Sequence, residues 1–407
     1  MTANTTGSTN TACGKEALTS NTTATDNTAV GADALYANTT GSGNAALGNA
    51  ALDANTTGDN NTALGSAALS QSTTASNNTA VGRLALYATT TGTQNVGVGF
   101  EALKNNTTAN NNTAVGRRAL TQNTTGYQNV AMGQGALESN TTGADNVALG
   151  HAAMDHNTTA NDCVAVGVEA LTDNTTGGAN TGLGFGSLRN NTTGTGQTAV
   201  GHKALEDATT GSGNAVLGQR AGQHVTTGSD NSIIGRESGR DLTTGTNNLL
   251  LGRAAGLANS PSGALTSSSH RVVLGDNDIT HLYCADSSIS SSDKRDKTDI
   301  ADFTNGLNWI NQLKPVTYRW DRRSWYGTDE KPLGTPDGSK KRTKKEIGFL
   351  AQDVLAIEGN PTNKDDMLVV NLNEDDSAYG LKYERLIPVL VNAIKELSAK
   401  VTALEAK

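Results

Sequence analysis

A 17-residue period governs the first two thirds of this chain. One glycine returns at Gly14, Gly31, Gly48 and so on to Gly252, which is 238 residues in fourteen equal steps and therefore fifteen copies without insertion or deletion. A Thr-Thr pair keeps the same beat from Thr5-Thr6 to Thr243-Thr244, within the consensus Asn-Thr-Ala-Val-Gly-x-x-Ala-Leu-x-x-Asn-Thr-Thr-Gly-x-x. An unbroken short period makes each copy one structural unit stacked on the next. The two apolar pairs of a copy, Ala29-Val30 and Ala34-Leu35, are too short for helices and suit strands of a single coil. The expectation is an all-β repetitive fibre over residues 1–258, a β-solenoid or β-roll. Its glycine supplies a backbone conformation or a close approach that a side chain forbids. Asn-Thr-Thr-Gly reads as a turn, and asparagines and threonines stacked coil on coil read as ladders.

Composition sharpens the problem. The aromatics ahead of residue 260 are Tyr36, Tyr87, Phe100, Tyr127 and Phe185, while all three tryptophans and all six prolines lie beyond it. Such a stretch lacks the mass for an ordinary globular core. Alanine at the inward slots implies a narrow core, expected to be completed by neighbouring chains. In the last three copies the leucine slot becomes Gly222, Gly239 and Gly256, and in two of them Val225 and Leu242 appear three places on. That substitution reads as a core being re-routed where one cross-section hands over to another. The repeat resembles the head repeats of trimeric autotransporter adhesins, whose Asn-x-x-Ile/Val-Gly-x-x-Ala units form a trimeric β-roll. It departs from them in its longer unit and its Asn-Thr-Thr. The resemblance implies a trimeric fibre.

Several function classes recede on composition alone. The formal charge of −8 counts against a nucleic-acid partner. The cluster Lys340, Lys341, Arg342, Lys344 and Lys345 follows Gly-Thr-Pro-Asp-Gly-Ser and reads as a solvated loop. Cys13, Cys163 and Cys284 are odd in number and far apart, without disulfide or metal spacing. Asp26, Asp59, Asp145 and Asp230 near the turns read as surface, and His270 and His281 as strand surface. No cofactor and no metal site is expected. No apolar run approaches the ~18 residues of a membrane span and no leader is visible, so neither membrane insertion nor ordinary secretion is expected.

Ser260-Pro261-Ser262-Gly263 breaks the period. The connector, 259–291, then carries His270 to Ile279 and His281 to Cys284, which read as short strands around a turn at the end of an intertwined three-chain β-structure. Beyond it, at 292–407, an ordinary mixed composition returns. The tail is periodic again: Ile387, Leu390, Ile394, Leu397, Val401 and Leu404 step by 3 and 4, an a/d seam that predicts a coiled-coil helix over 383–407 and a trimer. Three heptads are marginal alone, so the preceding globular part must contribute.

Four stretches of this last domain carry a resemblance. They run from Ser292-Asp293-Lys294-Arg295-Asp296-Lys297 to Ile300, from Ile310 to Trp320 through Leu313-Lys314-Pro315-Val316, from Ile347-Gly348-Phe349 to Val354, and from Leu381-Lys382-Tyr383-Glu384-Arg385 to Leu390. In order and spacing they are similar to the intramolecular chaperone domain of phage tailspikes and tail fibres, the endosialidase-type, self-cleaving peptidase S74. The resemblance implies a small α/β domain that registers three chains, lets the upstream fibre fold, and is then released. It further implies Ser292 as nucleophile and Lys297 as its general base, with the cut between Ser291 and Ser292. The implied protein is a homotrimeric virion tail fibre, made in the host cytoplasm, whose partners are other tail proteins and a host surface receptor, a glycan or outer-membrane component. The alternatives are a tailspike depolymerase acting on surface glycan, which needs paired carboxylates in a groove, and a cellular trimeric adhesin.

Overall fold

The computed structural model describes residues 3–279, 300–327, 333–372 and 379–406. By its internal contacts the chain divides into two compact units, Met1–Ala255 with Thr266–Leu274, and Gly256–Leu265 with Gly275–Lys407.

The first unit is a parallel β-solenoid. Each coil gives one three-residue strand, β1 (Thr11–Cys13), β2 (Thr28–Val30) and so on every 17 residues to β15 (Leu249–Leu251). A sixteenth, β16 (Val272–Leu274), follows after a step of 23 residues instead of 17. All sixteen form one sheet in sequence order, each residue paired with its equivalent one coil on, as Ala12 with Ala29 and Leu250 with Val273. Side chains alternate along a strand, so the middle residue points in and its neighbours out: Ala29 is buried while Thr28 is exposed.

The connector segment Val272–Leu274, expected in an intertwined three-chain structure, instead extends this chain's own sheet through ordinary parallel pairing to β15. His281 to Cys284 lie outside the described residues.

The second apolar pair of each copy is not a strand. Leu18, Leu35 and their equivalents to Leu205, with Met154 among them, adopt left-handed backbone with φ between 50° and 54°. That conformation costs an L-residue about 1–2 kcal/mol. Two gains offset it. The side chain is fully buried, which contributes about 1.5–3 kcal/mol, and the amide still donates to the next coil, as Leu35 N–H to the Ala51 carbonyl at 3.0 Å.

The core is therefore closed within one chain. The expectation that neighbouring chains complete it is corrected: Leu18, Leu35, Leu52 and the rest of the column are 0% exposed with no second chain present. The reason is the left-handed turn, which swings a large side chain over the alanine floor.

The repeat glycine meets both of its expected demands. Gly116 sits at φ +139°, and a Cβ there would lie 2.5 Å from the carbonyl oxygen of Gly133 in the next coil. Asparagine ladders run through the interior: Asn38 Nδ2 donates to Asn21 Oδ1 at 3.1 Å, and Asn55 Nδ2 to Asn38 Oδ1 at 2.9 Å. Thr22 Oγ1 donates to the Thr39 carbonyl at 3.0 Å, and its equivalents repeat the bond. The column breaks at Ser72 and Thr89, and there Asn55 Oδ1, Ser72 Oγ and Thr89 Oγ1 are buried without a partner.

The re-routing in the late copies has a physical form. As the leucine slot becomes Gly222 and Gly239, the strand centre grows from alanine to Val216, Ile233 and Leu250, and Val225 and Leu242 take over the asparagine slot, all at most 2% exposed. A Cβ on Gly239 would lie 2.8 Å from Leu250 Cδ1. Bulk has moved from the turn to the strand.

Candidate functional site

Ser291, Ser292 and Lys297 lie outside the described residues. What the structure gives is the frame that receives the chain immediately after them, from Ile300 onward.

That frame is small. Helix α1 (Leu307–Ile310) leads to β17 (Val316–Tyr318), which pairs antiparallel with β18 (Glu346–Gly348), Val316 opposite Gly348. Helix α2 (Ala351–Ile357) follows, then β19 (Val370–Leu372) and β20 (Tyr379–Leu381), again antiparallel. The chain ends in α3 (Leu386–Glu405). Trp309, Val354, Met367, Val369, Val370, Leu386 and Val389 form the core among these elements.

Two faces of α3 do different things. Leu386, Val389 and Ala393 are buried against the domain. On the same side Asn392 Nδ2 donates to the Phe303 carbonyl at 2.6 Å and the Asn305 carbonyl at 3.3 Å, and Glu396 Oε2 accepts the Leu307 N–H at 3.1 Å. These bonds fasten 303–307, the stretch that follows the serine–lysine segment, to the terminal helix. The a/d residues occupy another face and stand open: Ile387 is 60% exposed, Ile394 66% and Leu404 70%.

Other contacts fix the middle of the domain. The Glu358 carboxylate accepts the Val369 N–H at 2.6 Å and the Leu368 N–H at 3.3 Å, tying the end of α2 to β19. Tyr383 Oη accepts the Phe349 N–H at 3.2 Å, and a Cβ on Gly348 would lie 2.6 Å from that hydroxyl. Glycine is required there because the tyrosine reaches over the strand.

Residues 292–362 match the family Peptidase_S74, described as chaperone of endosialidase. The chain carries a chaperone domain of this family after its solenoid. The match spans the segment of Ser292 and Lys297, α1, the β17–β18 pair and α2, and stops before β19, β20 and α3. No curated protein and no solved structure matches the chain.

Within the chaperone domain the basic cluster is more than a solvated loop. Arg342 lies over the Trp325 ring at 5.1 Å and Lys340 over the Tyr326 ring at 5.3 Å, while Arg322 lies over Trp320 at 4.4 Å. Lys340 Nζ also donates to the Trp325 carbonyl. Burial, with Arg342 near, pulls the Arg322 guanidinium below its usual range. The loop is exposed, yet its cations are seated on aromatic faces, worth about 0.5–1 kcal/mol each at such sites.

Sequence reasoning named the a/d seam and missed Asn392 and Glu396. Their only signal was position: they fall with Val389 and Ala393 on a helix stripe beside the seam.

Proposed function

We infer that the protein is a homotrimeric phage tail fibre whose chaperone domain directs assembly and then cuts itself free. The observation that carries this reading is α3: a complete a/d seam, from Ile387 to Leu404, left exposed by the rest of its own domain. A seam of that length, left uncovered among the described residues, is the signature of helices that associate.

The cut follows from the segment before the frame. Ser292 Oγ attacks the Ser291 carbonyl carbon, and Lys297 takes the hydroxyl proton and returns it to the Ser292 amide nitrogen as the C–N bond breaks. Water then hydrolyses the resulting ester, leaving a carboxylate on Ser291 and a free amine on Ser292. Lysine serves as base only when neutral, so its pKa must fall from about 10.4 by desolvation or by nearby cations. Asp293 and Asp296 oppose that fall, which makes burial on assembly the effective lever. Because 303–307 are fastened to α3 through Asn392 and Glu396, pairing of α3 with its copies would bring the stretch that follows the serine–lysine segment to the assembled helices. Cutting is thereby coupled to correct assembly.

The solenoid is the part that stays in the virion, joined to other tail proteins and meeting a host-surface receptor. No described helix is long and apolar enough to cross a membrane. Light scattering on the full chain tests the assembly: three chains per particle are expected, and a monomer refutes it. Deleting 292–407 is expected to yield aggregated repeat protein, and a soluble, trimeric solenoid from that shortened chain removes the chaperone role.

A further inference from the structure

The outward face of the solenoid sheet is unlike the rest of its surface. The third residue of every strand, from Cys13 through Val30 and Leu47 to Leu274, is apolar in all sixteen strands. Many stand open: Leu47 is 47% exposed, Leu64 41%, Met132 46%, Leu183 43%, Leu217 50% and Ile234 47%. None of the sixteen strands contains a charged residue, although the chain carries a net charge of −8. Eight of these sixteen apolar side chains are exposed and eight are half-buried; at roughly 50 Å² each on average they present about 800 Å², above the largest patch of a typical monomer and enough for one side of a stable interface.

Charge is sorted on either flank of this face. Two residues before the strand the column holds Asp26, Asp145, Asp162 and Asp230 and no lysine or arginine. Two residues after it the column holds Lys15, Arg83, Arg117, Arg236 and Arg253, and its one acid is the buried Asp276 that follows the last strand. All nine are exposed. Two copies laid face to face in the same direction bring the acidic flank of one against the basic flank of the other. Laid antiparallel, they bring like against like.

We propose that this face is where copies of the chain pack against one another, parallel and in register, with Val30, Leu47, Leu64 and their equivalents turned towards the common axis. A second copy is the occupant because the apolar column repeats at the coil spacing over sixteen strands, so a partner must repeat at the same spacing to cover it. The neutral strands let chains of like net charge approach, and the sorted flanks set direction. The inference rests on the homotrimer reading and adds the surface and the register, which the a/d seam of α3 does not specify.

The experiment uses the full chain with Cys13→Ser and Cys284→Ser, carrying one new cysteine and treated with a short bismaleimide. Leu64→Cys and Leu217→Cys are each expected to give cross-linked chains on a denaturing gel, and Thr57→Cys, in the exposed threonine row, is expected to give none. Leu64 lies in the fourth strand and Leu217 in the thirteenth, which face each other only in an antiparallel pair. Co-expressed Leu64→Cys and Leu217→Cys chains, distinguished by a size tag, are therefore expected to give no mixed product. Mixed product overturns the parallel register. Trimers by light scattering without cross-links at either position overturn the face while leaving the homotrimer standing, and monomers overturn both.

Discussion

In the solenoid each coil closes over its own leucine, and Leu18 through Leu205 are 0% exposed in a single chain. In the chaperone domain the terminal helix does the reverse, presenting Ile387, Ile394 and Leu404 at 60–70% exposure. The first region draws its stability from contacts between adjacent coils of one chain, while the second leaves the apolar stripe of its terminal helix exposed. On the proposed reading a fibre built from the first alone has nothing but its outer sheet face to set chain number, and three-chain registration would fall to the second. Release of the domain as proposed would leave the solenoid core intact, since among the described residues that core contains none from 292–407.

Calorimetry on the uncut Ser292→Ala chain is the way to break this comparison, with each substitution expected to move the transition of its own region only. The largest effect is expected at Gly116→Ala, where a Cβ meets the next coil's backbone at 2.5 Å and the loss is more than about 4 kcal/mol. Leu120→Ala removes a fully buried side chain and costs about 3–5 kcal/mol. A shift of the chaperone transition by either would show the two regions to be one cooperative unit. Glu358→Ala strips the Val369 and Leu368 amides of their acceptor and lowers the chaperone transition alone, by about 1–2 kcal/mol. The double variant Ser72→Asn/Thr89→Asn goes the other way. It completes the ladder that Asn55 Oδ1 now ends and stabilises the solenoid by about 1 kcal/mol.

The smallest effect concerns Asp155, whose carboxyl burial raises above the usual range, against the lowering influence of His156 and His151. A raised acid makes the folded state the tighter proton binder, so stability falls as pH rises from about 4 through the folded value. Asp155→Asn is expected to raise the melting temperature at pH 7 by less than about 2 °C and to leave it unchanged near pH 3. An equal gain at both pH values would assign the effect to packing.

The sequence made the solenoid legible because a period is a geometric statement. Gly14 to Gly252 at one spacing demands identical coils, and the asparagine ladders follow from stacking. It did not reveal how the core closes. A leucine reads as an inward strand residue, and nothing in Ala-Leu announces a left-handed turn at φ 50–54°, a conformation propensity disfavours and coil-to-coil packing imposes. The connector's strand was legible in Val272-Val273-Leu274, but its partner was not, since a 23-residue step takes β16 out of the 17-residue beat. In the chaperone domain the a/d seam and the four motifs were visible. The grip of Asn392 and Glu396 on 303–307 was not, because it joins residues nearly 90 positions apart.

Release of the chaperone domain at Ser292 is the central claim, and the intact mass of the chain under denaturing conditions tests it most directly. The account predicts two species for the parent, one ending at Ser291 and one beginning at Ser292, and a single 41.8 kDa species for Ser292→Ala and for Lys297→Ala. A parent that stays whole as an assembled trimer, or a Ser292→Ala chain that is still cut, would contradict it.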